Sequence, residues 1–166
     1  MKTTAFFTRI LGWLTGSRLT VDNSVVRELD LDRFLGSWYE VARFDHFFER
    51  GMSQTKANYV LREDGNIDVI NTGIKDCKPK TAKGKAKRTG TPALFRVSFF
   101  GPFYSDYRIM LLDADYRYML IGSGSDTYLW ILSRTPQLFD SDRTTILTEA
   151  QRRGYDTDKL IWVKQD

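Results

Sequence analysis

The chain has 166 residues, 42% of them hydrophobic and 28% charged, which is enough to bury one full core in an ordinary globular domain. Its single cysteine, Cys77, excludes an intrachain disulfide. One histidine and one cysteine are too few ligands for a zinc site of the usual kind. The net charge of +4 reflects basic residues concentrated between Lys75 and Arg88. No nucleic-acid-binding motif accompanies them, so we expect no nucleic acid partner. Solvated strand faces explain most of these charges, and attraction to anionic lipid head groups is the alternative.

The first 28 residues are predicted to form an extension that precedes the folded domain. Apolar residues recur there at helical spacing, at Phe6, Phe7, Ile10, Trp13 and Leu14. This pattern predicts a short amphipathic helix, too short for the ~20 apolar residues that span a bilayer. Arg9 interrupts the apolar run and no small-residue cleavage site follows it, so a secretory signal peptide is not indicated. We expect the helix to lie on a membrane, dock on the protein or fray.

The remaining residues, 29–166, are predicted to form one barrel domain. Short alternating segments separated by turn residues predict strands at Trp38–Phe44, 57–61, Ile67–Ile74, Lys83–Arg88, Leu94–Phe100, Tyr107–Leu112, Tyr116–Gly122 and Tyr128–Ser133. A helix over Gln137–Gly154, capped by Asp140 or Ser141, and a short strand at Leu160–Val163 follow. Regularly spaced short strands indicate a sandwich or a closed barrel. A barrel of eight strands has no exposed edges and leaves room for one small ligand. The sequence therefore predicts an all-β fold, an eight-stranded antiparallel up-and-down β-barrel with one C-terminal α-helix and a short ninth strand.

Three motifs occur in an order that is typical of one family. They are Gly36-Ser37-Trp38-Tyr39 at the first strand, Asp113-Ala114-Asp115-Tyr116 between the sixth and seventh strands, and Arg134 after the eighth strand. Together they resemble the conserved regions of the lipocalins. Three longer segments, Trp38–His46, Val97–Tyr104 and Leu129–Pro136, are similar to the bacterial outer-membrane lipocalins, a group that also resembles apolipoprotein D. The resemblance implies that Trp38 and Arg134 stack at the closed end of the barrel as a structural pair.

Alternation with a period of two predicts which side chains face inward, once Trp38 and Arg134 fix that face. On the first strand this assigns Glu40, Ala42 and Phe44 to the inside, and on the other strands the more apolar parity is assigned, Leu111 included. The predicted ligand-binding residues are Ala42, Ala57, Tyr59, Val69, Phe95, Val97, Phe99, Tyr107, Ile109, Met119, Ile121, Tyr128 and Trp130. The outward apolar residues are expected beneath Ile146, Leu147 and Ala150 of the helix; they are Val41, Met110, Leu112, Leu120 and Ile131.

These features predict a protein that binds and stores or transports a small hydrophobic ligand, and the resemblance implies a fatty acid or lysophospholipid. No catalysis, cofactor or metal is expected. Alternation places Glu40 and Arg43 on opposite faces, and His46 lies in a loop where charged groups are usually solvated. Cys77 lies in the connection between the third and fourth strands, where it does not match the cavity cysteine of isomerases in the family.

The alternative function is a cell-envelope interaction scaffold that uses the N-terminal amphipathic segment and the basic strand region. The resemblance implies a bacterial envelope location, with peripheral contact to anionic membrane. No cysteine near the start offers a site for lipoprotein acylation and no signal peptide is clear, which leaves the cytoplasm as a second expectation. The sequence does not name the ligand, and it leaves open whether two copies form a homodimer.

Overall fold

The structure is a computed structural model that describes residues 19–166. The amphipathic helix predicted between residues 6 and 14 lies outside them. The helices are α1 (Leu31–Phe34), α2 (Asp140–Arg152) and a 3-10 turn (Thr157–Lys159). The strands are β1 (Gly36–Phe44), β2 (Ser53–Leu61), β3 (Ile67–Lys75), β4 (Lys78–Arg88), β5 (Leu94–Phe100), β6 (Phe103–Leu112), β7 (Tyr118–Gly122), β8 (Leu129–Ser133) and β9 (Leu160–Trp162). None of the described helices is long and apolar enough to cross a membrane.

The eight long strands form a closed antiparallel barrel. Each strand pairs with the next one along the chain, and β1 closes the ring by pairing with both β2 and β8. The ninth strand lies outside this ring and pairs with β1 over Ala42–Phe44. The predicted fold, including the C-terminal helix and the ninth strand, is confirmed.

Two apolar cores lie on opposite sides of the barrel wall. The inner core fills the barrel and is closed at one end by Phe34 of α1. The outer core lies between the wall and α2, where Ile146 and Ala150 are fully buried. The predicted outer layer is confirmed for Val41, Met110, Leu120 and Ile131. Burial on both sides explains why β7 is buried along its whole length.

Bulges in β1 and β6 change which side chains face the barrel interior. In β1, Glu40 pairs with Leu132 but Ala42 pairs with Ile131, so Val41 is the extra residue and the alternation shifts by one. Ala42 and Phe44 therefore pack in the outer core, and their predicted inward orientation is wrong. Met110 is the extra residue in β6, so the two residues after it face the opposite sides of the wall from those predicted. Leu111 packs against the outer core and Leu112 against the inner one.

The C-terminal helix is shorter than predicted. It begins at Asp140, and its N-cap residue is Phe139, which makes no side-chain capping bond, so the prediction that Asp140 or Ser141 caps the helix is wrong. Gly154 follows the helix with a positive φ of 96°, a conformation that favours glycine, as the predicted stop requires. Arg153 beside it ties the helix to the chain before α1, since its guanidinium donates to the carbonyls of Asp22 and Ser24.

Candidate functional site: the barrel interior and its open end

The closed end of the barrel is sealed by the stacked pair that the sequence predicts. The guanidinium of Arg134 lies 3.8 Å from the centre of the Trp38 ring. It also donates to the backbone carbonyls of Ser37, Arg33, Phe34 and Leu35 at 2.6–3.2 Å. The indole of Trp38 is fully buried and donates to the Phe34 carbonyl at 2.8 Å. The charge of Arg134 is satisfied by backbone oxygens and by the aromatic face of Trp38. The pair therefore closes this end, and the opposite end of the barrel stays open.

The interior wall is formed by nearly all of the predicted ligand-facing residues. Those fully or largely buried in the inner core are Ala57, Tyr59, Val69, Phe95, Ile109, Met119 and Ile121. Val97, Phe99, Tyr107 and Trp130 pack against the same core and are partly buried. Tyr128 stacks on Trp130 at 5.5 Å between ring centres, just before β8 begins. Only Ala42 of the predicted set lies on the other side of the wall. Contact of these residues with a ligand stays a prediction.

Part of the interior surface is accessible to solvent. Val97, Phe99 and Trp130 point into the barrel and lie toward its open end, yet each keeps accessible surface. Residues toward the closed end, such as Met119, are fully buried. The inward side chains toward the open end are therefore less completely covered than those toward the closed end.

Two tyrosines provide the polar groups deep in this apolar interior. The hydroxyls of Tyr59 and Tyr107 lie 2.7 Å apart, and burial raises the pKa of both phenols, which keeps them neutral. Because only one hydroxyl donates within the pair, the hydrogen of the other has no acceptor among the described residues. The pair therefore offers one hydrogen-bond donor to a bound molecule.

A charged cluster lies at the open end, inside the wall. Arg43 is 2% exposed and donates to the Glu40 carboxylate at 2.8 Å and to the Glu49 and Met52 carbonyls at 2.7 and 3.1 Å. The Nε2 atom of His46 lies 2.6 Å from a carboxylate oxygen of Glu49, to which the Trp130 indole also donates at 3.3 Å. The Nε of Arg43 and the Nδ1 of His46 are buried without a hydrogen-bond partner in residues 19–166. This mouth cluster, Glu40, Arg43, His46 and Glu49, thus has unused donor capacity.

The two carboxyl groups of the mouth cluster have opposite pKa shifts. Burial, together with the nearby charge of Glu49, raises the pKa of Glu40 well above its ordinary value, despite the hydrogen bond from Arg43. Burial also acts to raise the pKa of Glu49, but the hydrogen bond and charge of His46 outweigh it and leave that pKa lowered. The folded environment therefore favours the protonated form of Glu40 and the ionised form of Glu49.

The mouth cluster contradicts two predictions from the sequence, one from alternation and one from loop position. Glu40 and Arg43 do not lie on opposite faces, because the bulge at Val41 turns Arg43 inward beside Glu40. His46 lies in a loop but is 8% exposed, since Phe48, Tyr128 and Trp130 surround its ring at 4.6–5.7 Å. The sequence contained a signal for this cluster. Glu40 and Arg43 stand between apolar residues on a strand predicted to line the barrel.

Other candidate positions lie away from the interior. Cys77 is exposed in the turn between β3 and β4, the connection that the sequence predicts, and this turn lies at the open end. Within the described part of the chain, no group of three His, Cys, Asp or Glu side chains is placed to hold a metal. Two surface clefts, of about 550 and 510 Å³, lie outside the wall, one beside Arg33 and Tyr116 and the other beside Phe44 and Lys159.

Comparisons with known proteins agree with this architecture. The family description "Lipocalin-like domain" matches residues 29–165. The chain is 49% identical to the outer membrane lipoprotein Blc of Citrobacter freundii over 146 residues, which cover 86% of this chain and 82% of that protein. It is 32% identical to mouse apolipoprotein D, covering 85% and 79% of the two chains. Among solved structures, insecticyanin from the tobacco hornworm Manduca sexta superposes with a TM-score of 0.70 at 19% identity, covering 86% of this chain and 84% of that one.

Proposed function

This chain belongs to the lipocalin family, and from that premise we propose that its barrel binds and carries a fatty acid or a lysophospholipid. Binding of a small hydrophobic molecule is what the family and its relatives support. The observation that carries the finer proposal is the pairing of an apolar interior, partly accessible toward its open end, with a buried guanidinium at its mouth. An acyl chain needs the first feature, and an anionic head group needs the second.

The apolar part of the ligand is proposed to lie in the open half of the interior, against Val97, Phe99 and Trp130. These side chains still have accessible surface, and covering that surface is favourable by about 25 cal/mol per Å². Deeper in the barrel, the Tyr59–Tyr107 pair is available to an oxygen acceptor on the ligand. The neutral state of both phenols suits an apolar chain, because no interior charge has to lose its water.

The head group is proposed to lie at the mouth cluster. The unpartnered Nε–H of Arg43 is the donor available to a carboxylate or phosphate, and the Nδ1 of His46 adds a second donor when the imidazole is protonated. Donors fixed by other bonds lose little freedom on binding, and Arg43 is held by Glu40 and by two carbonyls of the β1–β2 loop. A bound anion would also balance the charge of Arg43, because burial raises the pKa of its neighbour Glu40 and so favours the neutral acid.

A titration of delipidated protein with a fluorescent fatty acid tests the proposal. We expect saturable binding that quenches Trp130, and Trp130→Ala is expected to weaken it by about 1–3 kcal/mol through lost apolar contact. Trp162→Ala is the matched control, because that indole lies on β9 outside the barrel and stacks on Arg143. Absence of binding by any long-chain amphiphile, or equal losses in both variants, would contradict the proposal.

The head-group assignment has a separate test that needs no change to the protein. A fatty acid, its methyl ester and a lysophospholipid of the same chain length are compared in competition with the fluorescent ligand. The two anionic ligands are expected to bind about tenfold more tightly than the ester, because a hydrogen bond to a charged group contributes about 1.5–3 kcal/mol. Equal affinities would remove Arg43 and His46 from the binding site while leaving the apolar interior in place.

A further inference from the structure

The loops at the open end expose four phenylalanines. Phe47 and Phe48 lie in the β1–β2 loop, and Phe100 and Phe103 flank the β5–β6 turn on the far side of the barrel. Their exposed fractions are 72%, 43%, 68% and 78%. Single exposed apolar residues are common, but four of the same aromatic type around one opening need an explanation. We refer to these four residues as the aromatic rim.

The aromatic rim consists of two pairs that are fixed by local geometry. The rings of Phe47 and Phe48 meet edge to face at 4.3 Å. Phe100 and Phe103 are register partners at the end of the β5–β6 hairpin, across a turn in which Gly101 has a φ of +57°. Each pair is thus held on its loop by backbone geometry rather than by burial in either core. The rim pairs stand on opposite sides of the mouth because β1 and β5 lie half a barrel apart.

The hairpin between these two loops carries unpaired positive charge. Lys75, Lys78 and Lys80 surround the β3–β4 turn at the same end of the barrel, and Asp76 is the acid beside them. None of the ion pairs formed within residues 19–166 includes one of these three lysines. They are free to interact with an external anion. We refer to them as the open-end lysines.

We infer that the open end of the barrel docks on an anionic lipid surface. The aromatic rim enters the boundary between head groups and acyl chains, and the open-end lysines contact the head groups. Aromatic side chains next to lysine are the composition that interfacial membrane binding uses, because apolar burial and attraction to anionic lipid add together. A fluid surface also accommodates two apolar pairs separated by an opening, whereas a folded partner would have to match both pairs and the gap.

This orientation has a consequence for the mouth. With the rim in the lipid, Trp130 and the mouth cluster face the head-group layer directly. An amphiphile then enters the barrel without crossing water. The docking itself does not depend on what the barrel binds, so it stands apart from the proposed function.

Cys77 allows docking to be measured, because it is the only cysteine and lies exposed at the tip of the β3–β4 turn. An environment-sensitive fluorophore on Cys77 is titrated with vesicles of phosphatidylcholine alone or of an equimolar mixture with phosphatidylglycerol. We expect a blue shift with the anionic vesicles, reduced by salt, and little change with the neutral ones. The control carries the label at the closed end, in the double variant Cys77→Ser with Glu63→Cys, and is expected to show no shift. Equal shifts at both ends would overturn the inference.

Variants separate the apolar and charged contributions to docking. The double variant Phe47→Ser with Phe103→Ser is expected to lower vesicle partitioning at least tenfold. Phe139→Ser is the control, because that ring is 69% exposed near the start of α2.

Replacing one open-end lysine by serine is expected to lower vesicle partitioning about fivefold, on anionic vesicles only. Arg88→Ser is the control, because it lies at the other end of β4.

Two results would overturn the inference. One is loss of partitioning in the control variants as large as in the rim and lysine variants. The other is a dimer in light scattering that Phe47→Ser with Phe103→Ser dissociates, with no vesicle binding, which would assign the rim to a second copy of the chain. Binding of the fluorescent fatty acid in detergent-free solution is expected to be unchanged in all of these variants, so failure of docking and failure of ligand binding remain distinguishable.

Discussion

Both ends of the barrel contain an arginine held by several hydrogen bonds, but only Arg43 at the open end is fully buried, and the groups around the two arginines differ. At the closed end, Arg134 is surrounded by backbone carbonyls and the face of Trp38, and its partners are neutral. At the open end, Arg43 is surrounded by titratable groups, and one of its nitrogens has no partner among the described residues. The first arrangement is complete without a ligand. The second retains hydrogen-bonding capacity that a ligand could use.

The contrast extends to the aromatic residues. Phe34 and Trp38 at the closed end are fully buried and seal the core, whereas the aromatic rim at the open end contributes almost nothing to it. The closed end therefore stabilises the fold, whereas the exposed rings at the open end leave apolar surface uncovered by the described residues. Substitutions at the two ends should accordingly separate stability from binding.

The largest expected effect is on stability at the closed end. Trp38→Ala should lower the free energy of unfolding by about 3–5 kcal/mol, because a fully buried indole is removed from a site that cannot collapse. Trp130→Ala, which truncates a half-buried indole at the open end, should cost less than half of that. Urea denaturation followed by circular dichroism measures both, and equal losses would contradict the contrast between the ends.

The next effect concerns the arginine of the closed end. Arg134→Met should lower the free energy of unfolding by about 2–3 kcal/mol, since four backbone carbonyls, two of them partly buried, lose their charged donor. Arg134→Lys keeps the charge without the planar fork and should recover only part of the loss. Affinity for the fluorescent fatty acid, measured below the onset of unfolding, should change little in either variant. A large loss of affinity would mean that the closed end takes part in binding.

The smallest effect is a pH dependence at the open end. The pKa of Glu40 is raised in the folded state, so its ionisation opposes folding, and stability falls as the pH rises from the ordinary carboxyl pKa toward the raised one. Glu40→Gln should remove this fall, and its stability relative to the parent should increase with pH. Each unit of pKa shift corresponds to about 1.4 kcal/mol.

Glu49→Gln is the matched comparison, because the lowered pKa of Glu49 gives the opposite sign. Its ionised form stabilises the fold above the ordinary carboxyl pKa, and that contribution is lost as the pH falls through the lowered pKa. The variant should therefore be destabilised at neutral pH and approach the parent in acid. Thermal unfolding across the pH range measures both variants, and parallel pH profiles would show that the two carboxyl groups are not distinguished as the structure indicates.

The wrong predictions for side-chain orientation in β1 and β6 follow from bulges. Alternation placed the inward side chains of β2 and β3 correctly, because those strands are regular from Lys56 onward. It failed after Val41 and Met110, where one extra residue reverses the parity. No residue type at either position marks a bulge. The register there is fixed by pairing with the neighbouring strand, β8 for β1 and β7 for β6.

The sequence by itself determined the closed barrel, the order of its elements and the pair that seals one end. These follow from local alternation, turn residues and three short motifs, all of which act over a few residues. Only the tertiary structure decided that Ala42 faces α2 and that Glu40 and Arg43 meet inside the wall. The reason is physical: parity within a strand is local, but a bulge and the burial of a charge depend on the strands that pack against it.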